Sequence, residues 1–361
     1  MTDAPKPVRI VLLYGGQSAE HEVSRISAAS VLKAIDTDRY DVVPVAITPD
    51  GRWLRSDATL ALLAEGTEAL PESLDAGGTD LAPLASIEPA HPDQQVVVLP
   101  ILHGPRGEDG TVQGLLELAD VAYVGTGVLG SALNMDKATG KVVAQAAGIP
   151  VCRWISVRDS EIDDALVARV GSELGWPVFV KPSNMGSSVG VNKADDPAEL
   201  RAALAEAVAY DEWVVIEEAV ANARELEVGV IGNEAPRASV VGEIIPTHDF
   251  YDYEDKYVDG ASQMVIPADV PDDVADEIRS LAVRVYRALR CDGLSRVDFF
   301  YEADGRGVLF NEINTLPGFT KYSMFPSLWA ATGLPYPELI DELVRLALAR
   351  HQHRAPHRRL R

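Results

Sequence analysis

Cysteine is scarce in this chain: only Cys152 and Cys291 occur in 361 residues, too few for a disulfide framework. Both thiols are therefore expected to be reduced. The opening stretch MTDAPKPVRIVLLYGG lacks the basic-then-apolar layout of a secretory signal, so the cytoplasm is the expected location. Cations are outnumbered, with 32 Lys and Arg against 55 Asp and Glu and a formal net charge of -23. Such a balance excludes a general nucleic-acid binder, because phosphate backbones require a basic patch. Any anionic ligand must meet locally placed cations. Long apolar runs are also missing: the stretch from Val96 to Leu102 falls far short of the roughly 20 residues that span a bilayer, so no membrane partner is expected. What is present is 47% hydrophobic content, enough to bury a sizeable core in two or three domains.

Strand-like and helix-like patterns alternate from the start: Val8 to Leu13, Ser24 to Ile35, Val42 to Thr48 and Val96 to Ile101. This predicts a small α/β domain. Residues 55–95 are rich in Asp, Glu, Ala, Gly and Pro with weak periodicity, as expected of a surface excursion with little function. A helix from Asn134 to Ala147 then leads through Gly148-Ile149-Pro150 to a strand at Val151 to Ile155. A helix at 161–174, a strand at Val178 to Lys181, a loop at 183–190, a helix near 197–209 and a strand at Trp213 to Glu217 complete a second unit. From about residue 222 the pattern turns β-rich, with strands at Glu225 to Ile231, Ala238 to Ile245, Leu294 to Tyr301 and Val308 to Ile313. Helices are expected near 272–289 and 336–350. The closing HQHRAPHRRLR reads as a solvated, disordered basic tail.

The stretch SRVDFFYEADGRGVLFNEINTLPGF carries the most chemistry. Two β-rich runs flank a turn near Asp304-Gly305, which predicts an antiparallel hairpin. With a side-chain period of two, Arg296 and Asp298 share one face, Glu312 and Asn314 share the partner's face, and Asp298 falls almost opposite Glu312. Facing carboxylates repel unless a cation sits between them, and Asp, Glu and Asn oxygens are the hard ligands that Mg²⁺ accepts beside phosphate. Val297, Phe299, Leu309 and Ile313 are expected on the apolar face, with Val308 and Phe310 adding bulk beside the polar cluster.

Three further segments stand out. Lys181 opens KPSNMGSSVG, where Gly and Ser could let backbone N–H groups approach phosphate oxygens; the pattern is not a Walker A motif, and alone it fits a flexible turn equally well. GGQSAEHEVS follows the first strand without the Gly-x-Gly-x-x-Gly of a dinucleotide site, and its acidic residues suit an ammonium-bearing ligand. His103 begins HGPRGEDG, where a histidine is either structural or catalytic.

Taken in order, GGQSAEHEVS, LHGPRGEDGTVQG, MDKATGK, FVKPSNMGSSVGV, FYDYEDKY and SRVDFFYEADGRGVLFNEINTLPGFT with KYSM after it resemble the D-alanine–D-alanine ligase family from about Val8 to Leu348. The resemblance implies an α/β (α+β) fold class, a three-domain ATP-grasp fold. Its parts would be an N-terminal doubly wound α/β substrate-binding domain at 1–124, a central domain at 125–221, and a C-terminal domain at 222–361 carrying the metal and second-substrate sites. It implies ATP and two Mg²⁺ ions, with Mn²⁺ as an alternative, D-alanine as substrate, and a homodimer through the N-terminal domain. It places ATP phosphates on Lys137 and Lys181 under the Ser187-Ser188 loop. Glu217, Ala219 and Val220 would lie along the adenine, Glu225 at the ribose and Phe310 with the nucleotide. Asp298, Glu312 and Asn314 would be the metal ligands. Glu20, with His103 close by, would take the first D-alanine's ammonium, and Arg296 with the backbone near Gly318 would stabilise the oxyanion. Ser323 and the N–H of Met324 would grip the second carboxylate, although many members carry Leu where this chain has Met324. Lys256 and Tyr257 would fall in a mobile loop, with Tyr257 near Glu20 and Ser187.

The nearest alternative is a D-alanine–D-lactate or D-alanine–D-serine ligase of the same fold, against which Lys256-Tyr257 favours alanine. A non-catalytic nucleotide-binding relative would be expected to have lost a metal ligand or a phosphate lysine, and none is missing. A nicotinamide-dependent dehydrogenase lacks its fingerprint.

Overall fold

The structure, a computed structural model, describes residues 8–245 and 263–358. In chain order the first elements are β1 (Val8–Gly15), α1 (His21–Ala34), β2 (Tyr40–Ile47), β3 (Trp53–Arg55), α2 (Asp57–Glu65), β4 (Thr79–Asp80), β5 (Gln95–Ile101), α3 (Thr111–Leu118) and β6 (Ala122–Tyr123). These six strands form one sheet in the order β4-β3-β2-β1-β5-β6. Strand β1 runs parallel to β2 and β5, and β5 parallel to β6. The near-continuous apolar sequence of β1 follows from burial on both faces. One face, with Ile10, Leu12 and Tyr14, packs on α1, while Val11 and Leu13 turn to Val112 and Leu116 of α3. Helices therefore cover both sides, as the alternating pattern predicted.

Next come α4 (Val128–Met135), α5 (Lys137–Ala146), β7 (Trp154–Arg158), α6 (Asp164–Glu173), β8 (Val178–Pro182), β9 (Asn192–Ala194), α7 (Pro197–Ala207) and β10 (Trp213–Glu218). The strands make an antiparallel sheet ordered β7-β10-β8-β9. The expected single helix at 134–147 is two helices, because Asp136 caps the second by accepting from the Thr139 N–H at 2.7 Å, which ends one helical path and starts another. The last group is β11 (Arg224–Gly232), β12 (Arg237–Ile245), β13 (Gln263–Val265), α8 (Asp272–Ala288), β14 (Gly293–Glu302), β15 (Gly307–Asn314), α9 (Met324–Ala331) and α10 (Tyr336–Arg358). Its sheet is ordered β13-β12-β11-β14-β15.

Three expectations change. Residues 55–95 are not merely an excursion: α2 and β4 lie within them, β3 and β4 extend the first sheet, and Leu70 and Leu74 sit in its core. The basic end is helical to Arg358 instead of disordered. Arg350 is buried against the carbonyls of Gly125 and Tyr123, and Arg354 reaches Asp292 at 2.7 Å. Finally, segments cross between units. Leu339, Ile340, Leu343 and Val344 of α10 complete the core of the first sheet, whereas Leu133, Val143 and Ala144 of α4 and α5 pack on the third.

Candidate active site

The hairpin of β14 and β15 pairs Arg296 with Asn314 and Asp298 with Glu312, the register read from the sequence. A bulge follows at once: Phe299 pairs with Phe310, leaving Asn311 as an extra residue. One added residue inverts the alternation of every side chain beyond it. Phe310 is accordingly corrected: it lies in the apolar core with Val297, Phe299 and Val308, its ring edge-on to Phe299 at 6.3 Å between centroids. It does not line the cavity described below. Leu309 takes the opposite face, paired with Phe300.

On the polar face the carboxylates are bound to cations. Arg296 holds Asp298 through two bonds, Nε to Oδ1 at 2.8 Å and Nη2 to Oδ2 at 2.7 Å, and its Nε also lies 2.9 Å from Glu227 Oε2. Burial opposes the guanidinium charge, but Asp298 and Glu227 outweigh it and raise the Arg296 pKa. Asn314 Nδ2 donates to Asp298 Oδ2 at 3.0 Å, and Lys137 Nζ lies 3.5 Å from Glu312 Oε2.

The second sheet supplies the facing wall. Lys181 Nζ donates to Glu217 Oε2 at 2.8 Å, and buried Lys141 meets Glu217 Oε1 at 3.0 Å. Glu217 thus serves as a clamp between two lysines, a task the sequence did not suggest. Burial pushes its carboxyl up, yet Lys141 and Lys181 together hold it at about 2. A folded-state pKa below the unfolded one gives stability that is complete above the unfolded value and lost as pH falls toward the folded value. Wild-type protein should therefore lose stability between about pH 5 and pH 2 by on the order of 3 kcal/mol from this group. Thermal melts across that range should fall less steeply for Glu217→Gln; identical slopes would contradict the clamp.

The 183–190 loop reaches back to the first sheet. Ser187 donates to Glu20 Oε1, and Ser187 and Ser188 both adopt left-handed backbone, with φ of 50° and 58°, an uncommon conformation for non-glycine residues. A Cβ on Gly104 or Gly186 would come within 2.7 or 2.8 Å of Glu20 Oε2, so both glycines allow the loops to close on that carboxylate. His103 Nδ1 lies 2.9 Å from the Leu316 carbonyl. A carbonyl only accepts, so Nδ1 carries the proton and Nε2 is a bare acceptor, without a partner among the described residues. Burial lowers the His103 pKa more than Glu20 and the carbonyl raise it. Glu108, which the sequence reading passed over, accepts from the Gly104 and Leu316 N–H groups at 2.8 and 3.0 Å. Burial and the Glu20 charge push it up to about 8.

Beyond β15 a Cβ on Gly318 would approach Ser323 Oγ to 3.2 Å. Ser323 Oγ accepts from the Thr320 N–H at 3.1 Å and sits at the N-terminus of α9. The Met324 side chain is buried with Ile244 and Leu328, so only its backbone could face a ligand. Lys256 and Tyr257 lie outside the described residues.

Between the second and third sheets lies a cavity of about 750 Å³. Of the residues singled out from the sequence, Lys137, Lys181, Ser187, Ser188, Glu217, Ala219, Val220, Glu225, Arg296, Asp298, Glu312 and Asn314 line it. Glu20, His103, Gly318, Ser323 and Met324 do not; Glu20 adjoins it through Ser187, and His103 shares the Leu316 backbone with Glu108, which lines it.

Comparison with known proteins decides the family. Residues 9–126 match the family model described as D-ala D-ala ligase N-terminus, and residues 143–345 the one described as D-ala D-ala ligase C-terminus. The D-alanine–D-alanine ligase of Deinococcus radiodurans is 49% identical over 344 residues, spanning 94% of this chain and 98% of the relative. The chain belongs to the D-alanine–D-alanine ligase family. Among solved structures, the D-alanine–D-alanine ligase of Coxiella burnetii superposes with a TM-score of 0.80 at 33% identity, covering 98% of this chain and 97% of the other. The VanG D-Ala:D-Ser ligase of Enterococcus faecalis gives 0.78 at 32%, covering 95% and 100%.

Among the described residues no three His, Cys, Asp or Glu side chains gather as a metal site. Asp298, Glu312 and Asn314 offer two carboxylates and an amide, a donor chemistry that fits a hard divalent ion: Asp298 and Glu312 face each other across one ladder and line the same cavity as Lys137 and Lys181. Three residues of this polar network escaped sequence reasoning. Glu227 follows Glu225 by one strand period, a usable signal; Lys141 and Glu108 lay inside recognised segments but owe their roles to partners far away in sequence.

Proposed function

We propose that this chain joins two D-alanines into D-alanyl-D-alanine at the expense of ATP, in the cytoplasm, for peptidoglycan precursors. The observation that carries the reading is the Asp298–Glu312 pair in one cavity with Lys137 and Lys181. Oxygen donors and ammonium groups on opposing walls suit a nucleoside triphosphate with divalent cations. Two Mg²⁺ ions, or Mn²⁺, would be held by Asp298, Glu312 and Asn314, and when bound would neutralise phosphate charge.

The remaining work belongs to the chain. Lys137 and Lys181 orient the phosphates, the Ser187-Ser188 loop covers them, Ala219 and Val220 flank the adenine, and Glu225 meets the ribose. Glu20 holds the first D-alanine's ammonium, with the neutral His103 beside it. A carboxylate is a poor acyl donor, so its oxygen first attacks the γ-phosphorus, the bond to ADP breaks, and an acyl phosphate forms. The second D-alanine's free amine then attacks the acyl carbon; inorganic phosphate leaves, and the amine's proton passes to solvent. The tetrahedral species between these events is anionic, so Arg296 and the N–H groups near Gly318 lower its energy more than that of the ground state. Ser323 and the Met324 N–H hold the second carboxylate, and the segment with Lys256 and Tyr257 closes the site to water.

If Ser323 grips that carboxylate, Ser323→Ala should raise the KM for the second D-alanine roughly tenfold, the cost of one hydrogen bond to a charged group. The KM for ATP should hardly move. Equal changes in both would contradict the role.

Likeness to a D-Ala:D-Ser ligase keeps a second acceptor in view. With D-alanine, D-serine and D-lactate at equal concentration, mass spectrometry should find D-alanyl-D-alanine in large excess; a majority of mixed product would reverse the assignment. We also propose a homodimer through the N-terminal unit, supported by Leu118 of α3, which is 91% exposed. A monomer in sedimentation at micromolar concentration would contradict it.

A further inference from the structure

The geometry points to Lys141 as a positioning residue that ties the two walls of the nucleotide cleft together through a single buried ammonium. Lys141 lies one helical turn after Lys137 on α5, but only Lys137 lines the cavity. Lys141 is 1% exposed, and a lysine that deeply buried persists only where its charge is paired. Its Nζ lies 3.0 Å from Glu217 Oε1 on the second sheet and donates to the Asn311 carbonyl on the third at 3.1 Å. Its remaining contact is Cys152 Sγ at 3.8 Å. The ammonium is thus held by an ion pair to the second sheet, a hydrogen bond to the third and a thiol.

Two of these contacts, to Glu217 and to Asn311, lead to residues assigned to the nucleotide or its metal. Glu217 passes the restraint to Lys181 through its other oxygen, at 2.8 Å. Asn311 is the extra residue of the bulge and immediately precedes Glu312. Lys141 therefore fixes both the phosphate lysine and the metal-side carboxylate without lining the cavity. Without its ammonium, Glu217 would have Lys181 as its sole cationic partner among these contacts and would draw that lysine from the phosphates, while the Asn311 carbonyl would lose its bond and free the bulge to shift Glu312. The first-substrate residues Glu20 and His103 share none of these contacts.

This inference rests on the ATP reading above, and the test separates the two. Lys141→Met should bind ADP with Mg²⁺ at least about tenfold more weakly by calorimetry, with a matching rise in the KM for ATP and a KM for D-alanine within about twofold of wild type. The double variant Lys141→Met/Glu217→Gln removes both members of the buried pair and so avoids a buried carboxylate compensated by Lys181 alone if the single variant fails to fold. It should show the same split, because the Asn311 contact is still gone. A folded variant with unchanged ADP affinity would overturn the inference, as would D-alanine and ATP KM values that rise together. Wild-type protein that neither binds ADP nor consumes ATP with D-alanine would instead overturn the functional reading.

Discussion

Glu312→Gln should fold normally and lose at least about a hundredfold in kcat at saturating Mg²⁺ and ATP. The two halves of this expectation have separate causes. Glu312 is Asp298's cross-strand partner, and a neutral amide there removes one of the two anionic oxygen donors that a hard divalent ion needs. Its side chain is 29% exposed and its contact with Lys137 is long, at 3.5 Å, an ion pair of the kind that contributes at most about 1 kcal/mol. Thermal stability should therefore stay close to wild type while turnover collapses. Near wild-type turnover would remove Glu312 from the metal set.

Arg296→Gln should damage both properties. Arg296 lies between Glu227 and Asp298, which are themselves cross-strand partners on β11 and β14. Deleting the guanidinium leaves two largely buried carboxylates facing each other, and breaking such a buried pair costs about 3–5 kcal/mol. A fall in Tm on the order of 10 °C follows. Turnover should drop by a further factor of about 10² to 10³, the range expected when one donor to a developing oxyanion is lost. Melting curves and single-turnover rates measured on the same preparation separate the two effects. A stable variant would show that the carboxylates do not depend on Arg296, and an active one would show that the oxyanion does not.

These two residues also mark how far the sequence could be read. The Asp298–Glu312 register followed from local rules, because a two-residue period and a turn at Asp304-Gly305 are enough to pair the strands. The bulge one position later was illegible: Asn311 is an ordinary residue, and its carbonyl accepts from Lys141, which comes from another element. Phe310 was misassigned for that reason alone. The doubly wound first sheet was readable from its apolar strands, yet β3 and β4 were missed because strands of three and two residues carry no period. The basic tail looked disordered in isolation; its helix is held by Asp292, Asp120 and Gly125, partners more than 60 residues away in sequence. The clamp of Lys141 and Lys181 on Glu217 was hidden in the same way. Residue types identified the chemistry, but its supporting contacts were long-range.

The most direct test of the whole account is phosphate release by the purified protein with ATP, Mg²⁺ and one amino acid at a time, each D- and L-form in turn, with ADP and product measured together. D-Alanine alone should give ADP, phosphate and D-alanyl-D-alanine in equal amounts, and L-alanine should give none above background. Release with L-amino acids, or phosphate without dipeptide, would contradict a site built to join two D-alanines.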